Sequence, residues 1–190
     1  MPRAYSKMVT LGSALPAFSP PDTVSGKTVS GADYAGRPVL IMFISNHCPY
    51  VVHLADALAA FGKEYQAKGL SVVAICSNDI ENFPQDAPDK MKAFAAQRGF
   101  TFPYLYDETQ QTAQNYQAMC TPDFFLFDEA GLLVYRGQFD ETRPNKGSPT
   151  GADMRAAADA VLAGRAPSAT QAPSWGCNIK WKEGAEPEWA

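Results

Sequence analysis

Hydrophobic residues fall along this chain in two rhythms. Val39-Leu40-Ile41-Met42-Phe43-Ile44 is an unbroken apolar run, as in a strand buried on both faces, and residues 70–76 repeat it. Between them Val52, Ala55, Leu58, Ala59 and Phe61 recur at helical spacing until Lys68-Gly69 stops the helix. Residues 91–98, preceded by Pro88 and closed by Gly99, predict a second helix. Residues 102–106 then read as a short strand and residues 109–117 as a third helix. Asp123–Phe127 and residues 132–137, joined by Asp128-Glu129-Ala130-Gly131, predict a β-hairpin. Ala152–Leu162 is an alanine-rich last helix that stops at Gly164. The first forty residues, broken by Pro16, Pro20 and Pro21 and turned at Ser25-Gly26-Lys27, read as a loop-rich extension. Residues 165–190 form a tail rich in Pro and Gly, and Trp175, Trp181 and Trp189 imply that it docks onto the body. This order predicts an α/β architecture, a mixed central sheet with helices on both faces.

Composition narrows the picture. A chain of 190 residues, 46% hydrophobic and 19% charged, suits one globular domain over 1–190 with 165–190 as its tail. A net charge of −4 gives no electrostatic reason to bind nucleic acid or an anionic membrane. No apolar run has the length of a signal-peptide core or a membrane span, so a cytoplasmic protein is expected. The four cysteines, Cys48, Cys76, Cys120 and Cys177, are scattered, and in a reducing compartment such residues are mostly buried and inert. Cys48 is the exception to look for. It follows the first core strand in Ser45-Asn46-His47-Cys48-Pro49, at a strand–helix junction, where Pro49 suits the first helical position. Unpaired helix N–H groups and the helix dipole favour a thiolate there, and His47, when protonated, acts in the same sense. His47 and His53 flank the thiol, but no carboxylate or second cysteine lies near in sequence to complete a metal site, so no metal is expected.

Three segments now become informative together. Ile44-Ser45-Asn46-His47-Cys48-Pro49-Tyr50-Val51, Cys120-Thr121-Pro122-Asp123 and Gly176-Cys177-Asn178-Ile179-Lys180-Trp181-Lys182 resemble the peroxiredoxin-like (redoxin, AhpC/TSA-type) branch of the thioredoxin superfamily. The similarity continues through Tyr135-Arg136-Gly137-Gln138-Phe139-Asp140. It implies a thioredoxin-like fold, a thiol-dependent oxidoreductase that needs no cofactor, and a cis-proline at Thr121-Pro122 facing Cys48. Asn46, His47 and Pro49 then support the thiol. The chain departs from the branch at Ser45, which stands where a Cys-x-x-Cys pair has its first cysteine, so the motif cannot close its own disulfide. Ser45 instead resembles the hydroxyl of the peroxiredoxin pattern Pro-x-x-x-Thr/Ser-x-x-Cys, which helps to hold a peroxide. Ile41 replaces that pattern's proline, and the Thr121-Pro122 segment replaces its arginine.

A lone thiol needs a partner to complete a redox cycle. Cys120, two residues before the proline, is the preferred candidate. Cys177 is the second, resembling the resolving cysteine of dimeric peroxiredoxins, which implies a homodimer. Cys76, at the end of a strand, reads as a core residue. The expected substrates are peroxides or disulfides of proteins or small molecules, with an external thiol as reductant. Ser45 favours peroxide and the proline loop favours disulfide. The alternative is a thioredoxin-fold binding or redox-sensor module that has lost turnover.

Overall fold

The structure, a computed structural model, describes residues 3–189. In chain order its elements are β1 (Arg3–Tyr5), β2 (Val39–Phe43), α1 (Pro49–Ala67), β3 (Ser71–Cys76), α2 (Pro88–Arg98) and β4 (Tyr104–Tyr106). They continue with α3 (Gln111–Tyr116), β5 (Cys120–Thr121), β6 (Asp123–Phe127), β7 (Leu133–Tyr135), α4 (Ala152–Leu162) and β8 (Trp175–Asn178). The main sheet has the order β4-β3-β2-β6-β7. β2, β3 and β4 run parallel, and β6 and β7 return antiparallel to their neighbours. The mixed α/β architecture expected from the periodicity is therefore present.

Because side chains alternate along a strand, β2 divides the core in two. Leu40 and Met42 pack with Leu54, Leu58 and Phe61 of α1 and with Met154 of α4. Ile41 and Phe43 pack on the other face with Ile75, Tyr116 and Phe125. The unbroken apolar run is what a strand covered on both sides requires. The N-terminal extension guards both edges of this sheet. Leu15 N–H donates to Gly131 O and Leu133 N–H to Ser13 O beside β7, while Tyr106 N–H donates to Pro21 O beside β4. Edges left open would invite pairing with other chains.

Three strands, β1, β5 and β8, escaped the sequence reading. β1 and β8 join β5 in a separate sheet of order β1-β8-β5, so both the extension and the tail contribute strands. None shows an alternating pattern, and each exists through its partners. β7 is shorter than expected because the Arg136 N–H turns away to the Gln171 side chain, at 2.6 Å.

A buried ion pair ties these parts together. Arg136 and Asp123 are both fully buried and bonded through two pairs of atoms, the Nη2–Oδ2 contact being 2.9 Å. Arg136 also donates to the Phe124 carbonyl and lies 3.8 Å from the centre of the Phe125 ring. Ser6, just past β1, donates to Asp123 at 2.6 Å. Removing one member of such a pair strands a charge in a medium that cannot solvate it, a cost of about 3–5 kcal/mol. Arg136→Met is therefore expected to lower unfolding free energy by about that amount in urea titration, whereas a loss under 1 kcal/mol would show that the pair is not sealed from water.

Candidate functional site

The chain leaves β2 through Ile44, whose N–H donates to Ile75 O, and reaches Cys48 in an extended conformation (φ −71°, ψ 118°) as the N-cap of α1. Pro49 takes the first helical position, where no N–H is required. The first helical bond runs from Val52 N–H to Cys48 O at 2.9 Å. The placement matches the strand–helix junction expected from the sequence. The thiol, however, is wholly covered, with 0% exposure.

What covers it comes from far along the chain. Cys48 Sγ donates to the Thr121 carbonyl at 3.0 Å. The Thr121–Pro122 bond is cis. Across the short sheet Thr121 pairs with Cys177, which places a second thiol in the same buried cluster as Cys48. All four cysteines are free thiols. Gly176 makes this approach feasible, since a Cβ there would lie 2.1 Å from the Thr121 carbonyl oxygen. Thus the tail docks, as its tryptophans implied, and it docks on the thiol.

The electrostatics of the pair are lopsided. Burial pushes the Cys48 thiol up, but hydrogen bonds outweigh it and hold Cys48 at about 6. The lowering comes, largest first, from the Cys177 side chain, from Thr121, and from the Cys177 and Val51 backbone. The Thr121 hydroxyl itself is buried without a hydrogen-bond partner. Cys177 is pushed far up, first by the Cys48 side chain and then by burial. When Cys48 ionises, the proton that remains on the pair is held by Cys177.

Cys120, the partner preferred on sequence grounds, faces the other way. Its side chain alternates with that of Thr121, lies against Ser6, Asp123 and Arg136, and donates to Pro122 O at 3.5 Å. Burial raises its pKa well above the ordinary value. The residue beside Cys48 is therefore Cys177. The loop reasoning misjudged this because a two-residue strand before the proline sends successive side chains to opposite faces. Cys76, at the end of β3, is buried and likewise pushed up by burial.

Ser45 also lands elsewhere than a peroxide-holding role requires. Its hydroxyl donates to Asp86 Oδ2 at 2.9 Å, so its proton is committed to a carboxylate. Asp86 is a residue that sequence reasoning missed. It is fully buried and also receives His47 Nδ1 at 2.9 Å, the Asn46 N–H at 2.7 Å and Asn78 Nδ2 at 2.7 Å. Burial pushes its carboxyl up, yet the bonds from His47, Asn78 and Ser45 hold it below the ordinary value. It comes from a short turn forty residues past the motif, with no pattern to mark it. His47 stacks on Phe83 (5.7 Å, 6°), and Asn46 accepts from the Tyr104 hydroxyl at 3.0 Å. Asn78 links this network to the tail, accepting the Lys180 N–H at 2.9 Å.

Around the proline lies a shallow depression of about 10 Å³, lined by Tyr50, His53, Pro122, Gln138, Arg143 and Trp175 among others. His53 bonds Thr142 Oγ1 at 3.0 Å. Among the described residues no group of three His, Cys, Asp or Glu side chains forms a metal cluster.

Comparison with known proteins agrees with this architecture. Residues 11–136 match the AhpC/TSA family, a span that ends before Cys177. The thioredoxin-like protein YneN of Bacillus subtilis is 31% identical over 134 residues, 69% of this chain and 75% of its own length. The crystal structure of an uncharacterized conserved protein from Geobacillus kaustophilus is 48% identical, covers 97% of this chain and 99% of that one, and superposes with a TM-score of 0.94. The thioredoxin domain of a thiol-disulfide oxidoreductase from Bacteroides vulgatus shares the fold at 19% identity, with a TM-score of 0.60 over 77% of this chain and 96% of its own. With a thioredoxin fold, a cis-proline beside a helix-capping cysteine and this match over most of its length, the chain belongs to the AhpC/TSA family of thiol oxidoreductases.

Proposed function

We propose that this protein exchanges disulfides through a dithiol made of Cys48 and Cys177. The single observation that carries this reading is the strand register that sets Cys177 opposite Thr121, whose carbonyl lies 3.0 Å from the Cys48 sulfur, so that a low-pKa thiol faces a second thiol. The Cys48 thiolate attacks one sulfur of a substrate disulfide, forming a mixed disulfide and expelling the other sulfur as a thiolate. Cys177, once its proton has passed to that leaving thiolate or to water, attacks Cys48 Sγ. The Cys48–Cys177 disulfide forms, the second substrate thiol leaves, and an external dithiol restores the reduced pair. Cys177 thereby supplies what Ser45 cannot.

Disulfide rather than peroxide is favoured by the placement of Ser45, whose hydroxyl serves Asp86. It is favoured also by the cis-proline loop, whose Thr121 carbonyl lies 3.0 Å from the sulfur. A cysteine at about 6 is roughly 90% thiolate at pH 7 and needs no further base.

Two measurements test this reading. Alkylation rate against pH is expected to give Cys48 an apparent pKa near 6. Cys177→Ala, which deletes the largest lowering contribution, should move that value upward, and a parent value at or above the ordinary ~8.5 would remove the basis for reactivity. The second measurement is peptide mapping after stoichiometric oxidation by a small disulfide. A Cys48–Cys177 bridge is expected in the parent and in Cys120→Ser, with a trapped mixed disulfide on Cys48 in Cys177→Ser. A Cys48–Cys120 bridge in the parent would overturn the pairing.

A further inference from the structure

The small sheet brings more than Cys177 to the site. In the antiparallel pairing of β1 with β8, Arg3 stands opposite Cys177 and Tyr5 opposite Trp175. Cross-strand partners share a face, and so do residues two apart along one strand. Arg3, Tyr5 and Trp175 therefore lie on the face that turns Cys177 toward Cys48. Tyr50, two residues past Cys48, meets Trp175 with ring centres 5.2 Å apart. These two rings roof the thiol pair.

Two cations sit on that roof. The Arg3 guanidinium lies 5.6 Å from the Trp175 ring centre and 5.9 Å from that of Tyr50, and the Arg143 guanidinium lies 5.0 Å from Trp175. Among the described residues, neither has a carboxylate within salt-bridge distance. Asp140 is close to Arg143 in the chain, but its two oxygens are taken by the N–H groups of Thr142, Thr150 and Gly151 and by the Thr142 hydroxyl. Arg143 uses Nη1 and Nη2 on the Asp140 and Thr142 carbonyls and the Gln138 side chain, and its Nε–H is buried without an acceptor. In a chain of net charge −4, two guanidiniums without a salt-bridge partner at the mouth of one thiol pair form a local field opposed to the whole.

We propose that Arg3 and Arg143 select a low-molecular-weight disulfide bearing carboxylates as the substrate of the Cys48–Cys177 pair. The choice of a small molecule follows from depth. Cys48 is 0% and Cys177 3% exposed, so β8 has to shift before any disulfide enters, and a slim disulfide needs only a small shift where a folded protein's surface bridge would need the whole short sheet displaced. The guanidiniums hold its carboxylates, and their field favours the anion that accumulates when the Cys48 thiolate attacks. The inference rests on the disulfide-exchange reading above.

An isosteric series separates the two. Reduced protein is mixed in single turnover with dithiodipropionate (dianion), bis(hydroxyethyl) disulfide (neutral) or cystamine (dication). Formation of the Cys48–Cys177 bridge is followed by mass spectrometry, and each rate is divided by that of a free low-molecular-weight thiol at the same pH. The dianion is expected to exceed the neutral probe about tenfold, as two charge contacts of roughly 0.7 kcal/mol each allow. That advantage should shrink with added salt. Arg3→Gln and Arg143→Gln should each lower the dianion-to-neutral rate ratio about threefold. The salt dependence of the parent protein keeps the test intact if either variant folds poorly. Equal rates for the three probes, or a preference for the dication, would overturn the charge selection while leaving disulfide exchange standing. Faster oxidation by a glutamate-rich peptide disulfide than by the small dianion would overturn the choice of a small molecule. Inertness toward all probes would bring down the disulfide reading and this inference with it.

Discussion

Where β8 crosses the cis-proline loop, Gly176 leaves no Cβ above the Thr121 carbonyl, and the two strands close to pairing distance. That contact has several consequences at once. It sets Cys177 opposite Thr121, hence against Cys48, and it seals the thiol from water. It also brings Trp175 over Tyr50 and draws β1 in as a third strand, with Arg3 across from Cys177. Any side chain at position 176 would part the strands, and the dithiol, the roof and the cationic rim would be lost together. The buried Asp123–Arg136 pair, with Ser6 bonded to it, fixes the other end of the same assembly.

Burial alone would make Cys48 a poor nucleophile, since a thiolate removed from water loses its solvation. The site reverses that sign with hydrogen bonds rather than with a neighbouring cation. The contributions come from three separate pieces of chain: Cys177, Thr121 and the backbone of Val51 in the first helical turn. Asp86 obeys the same rule one layer away, buried and still ionised because His47, Asn78, Ser45 and Asn46 all donate to it. Ser45 is drawn into that second network, and its hydroxyl is lost to the first. A residue that looks like part of a peroxide site in one dimension therefore serves to orient the loop in three.

The main sheet was legible because its strands are buried on both faces, and such strands announce themselves as apolar runs. The junction at Cys48 was legible for a similar reason, since Pro49 marks a helix start whatever surrounds it. What could not be read has a common cause. β1, β5 and β8 are two to four residues long and carry no periodicity, and they exist only because each meets the others. Asp86 and Asn78 lie outside the motif, on segments whose sequence has no rule for pointing inward. The choice of Cys120 over Cys177 failed at the same place. Proximity along the chain to Pro122 favoured Cys120, whereas strand alternation decides which side chain turns toward Cys48.

Placing the second cysteine on a docked strand, rather than within one helical turn of the first, changes what the redox pair can do. Two cysteines in the same turn move with their helix, and their separation is fixed by its geometry. Here the partner rides on a strand held by β5, by the bond that the Lys180 N–H donates to Asn78 and the one its carbonyl accepts from Gln110, and by aromatic contacts. A mixed disulfide on Cys48 needs room in a site with none, so β8 must yield when substrate enters and return for Cys177 to attack. The strand is thus both cover and reactant. Its hold on the body has to be firm enough to keep the reduced thiolate dry and loose enough to open in each turnover. In the proposed exchange the contact between Cys177 and Cys48 meets both demands, because it holds the cover over the reduced thiol and is lost once that sulfur is bonded to substrate.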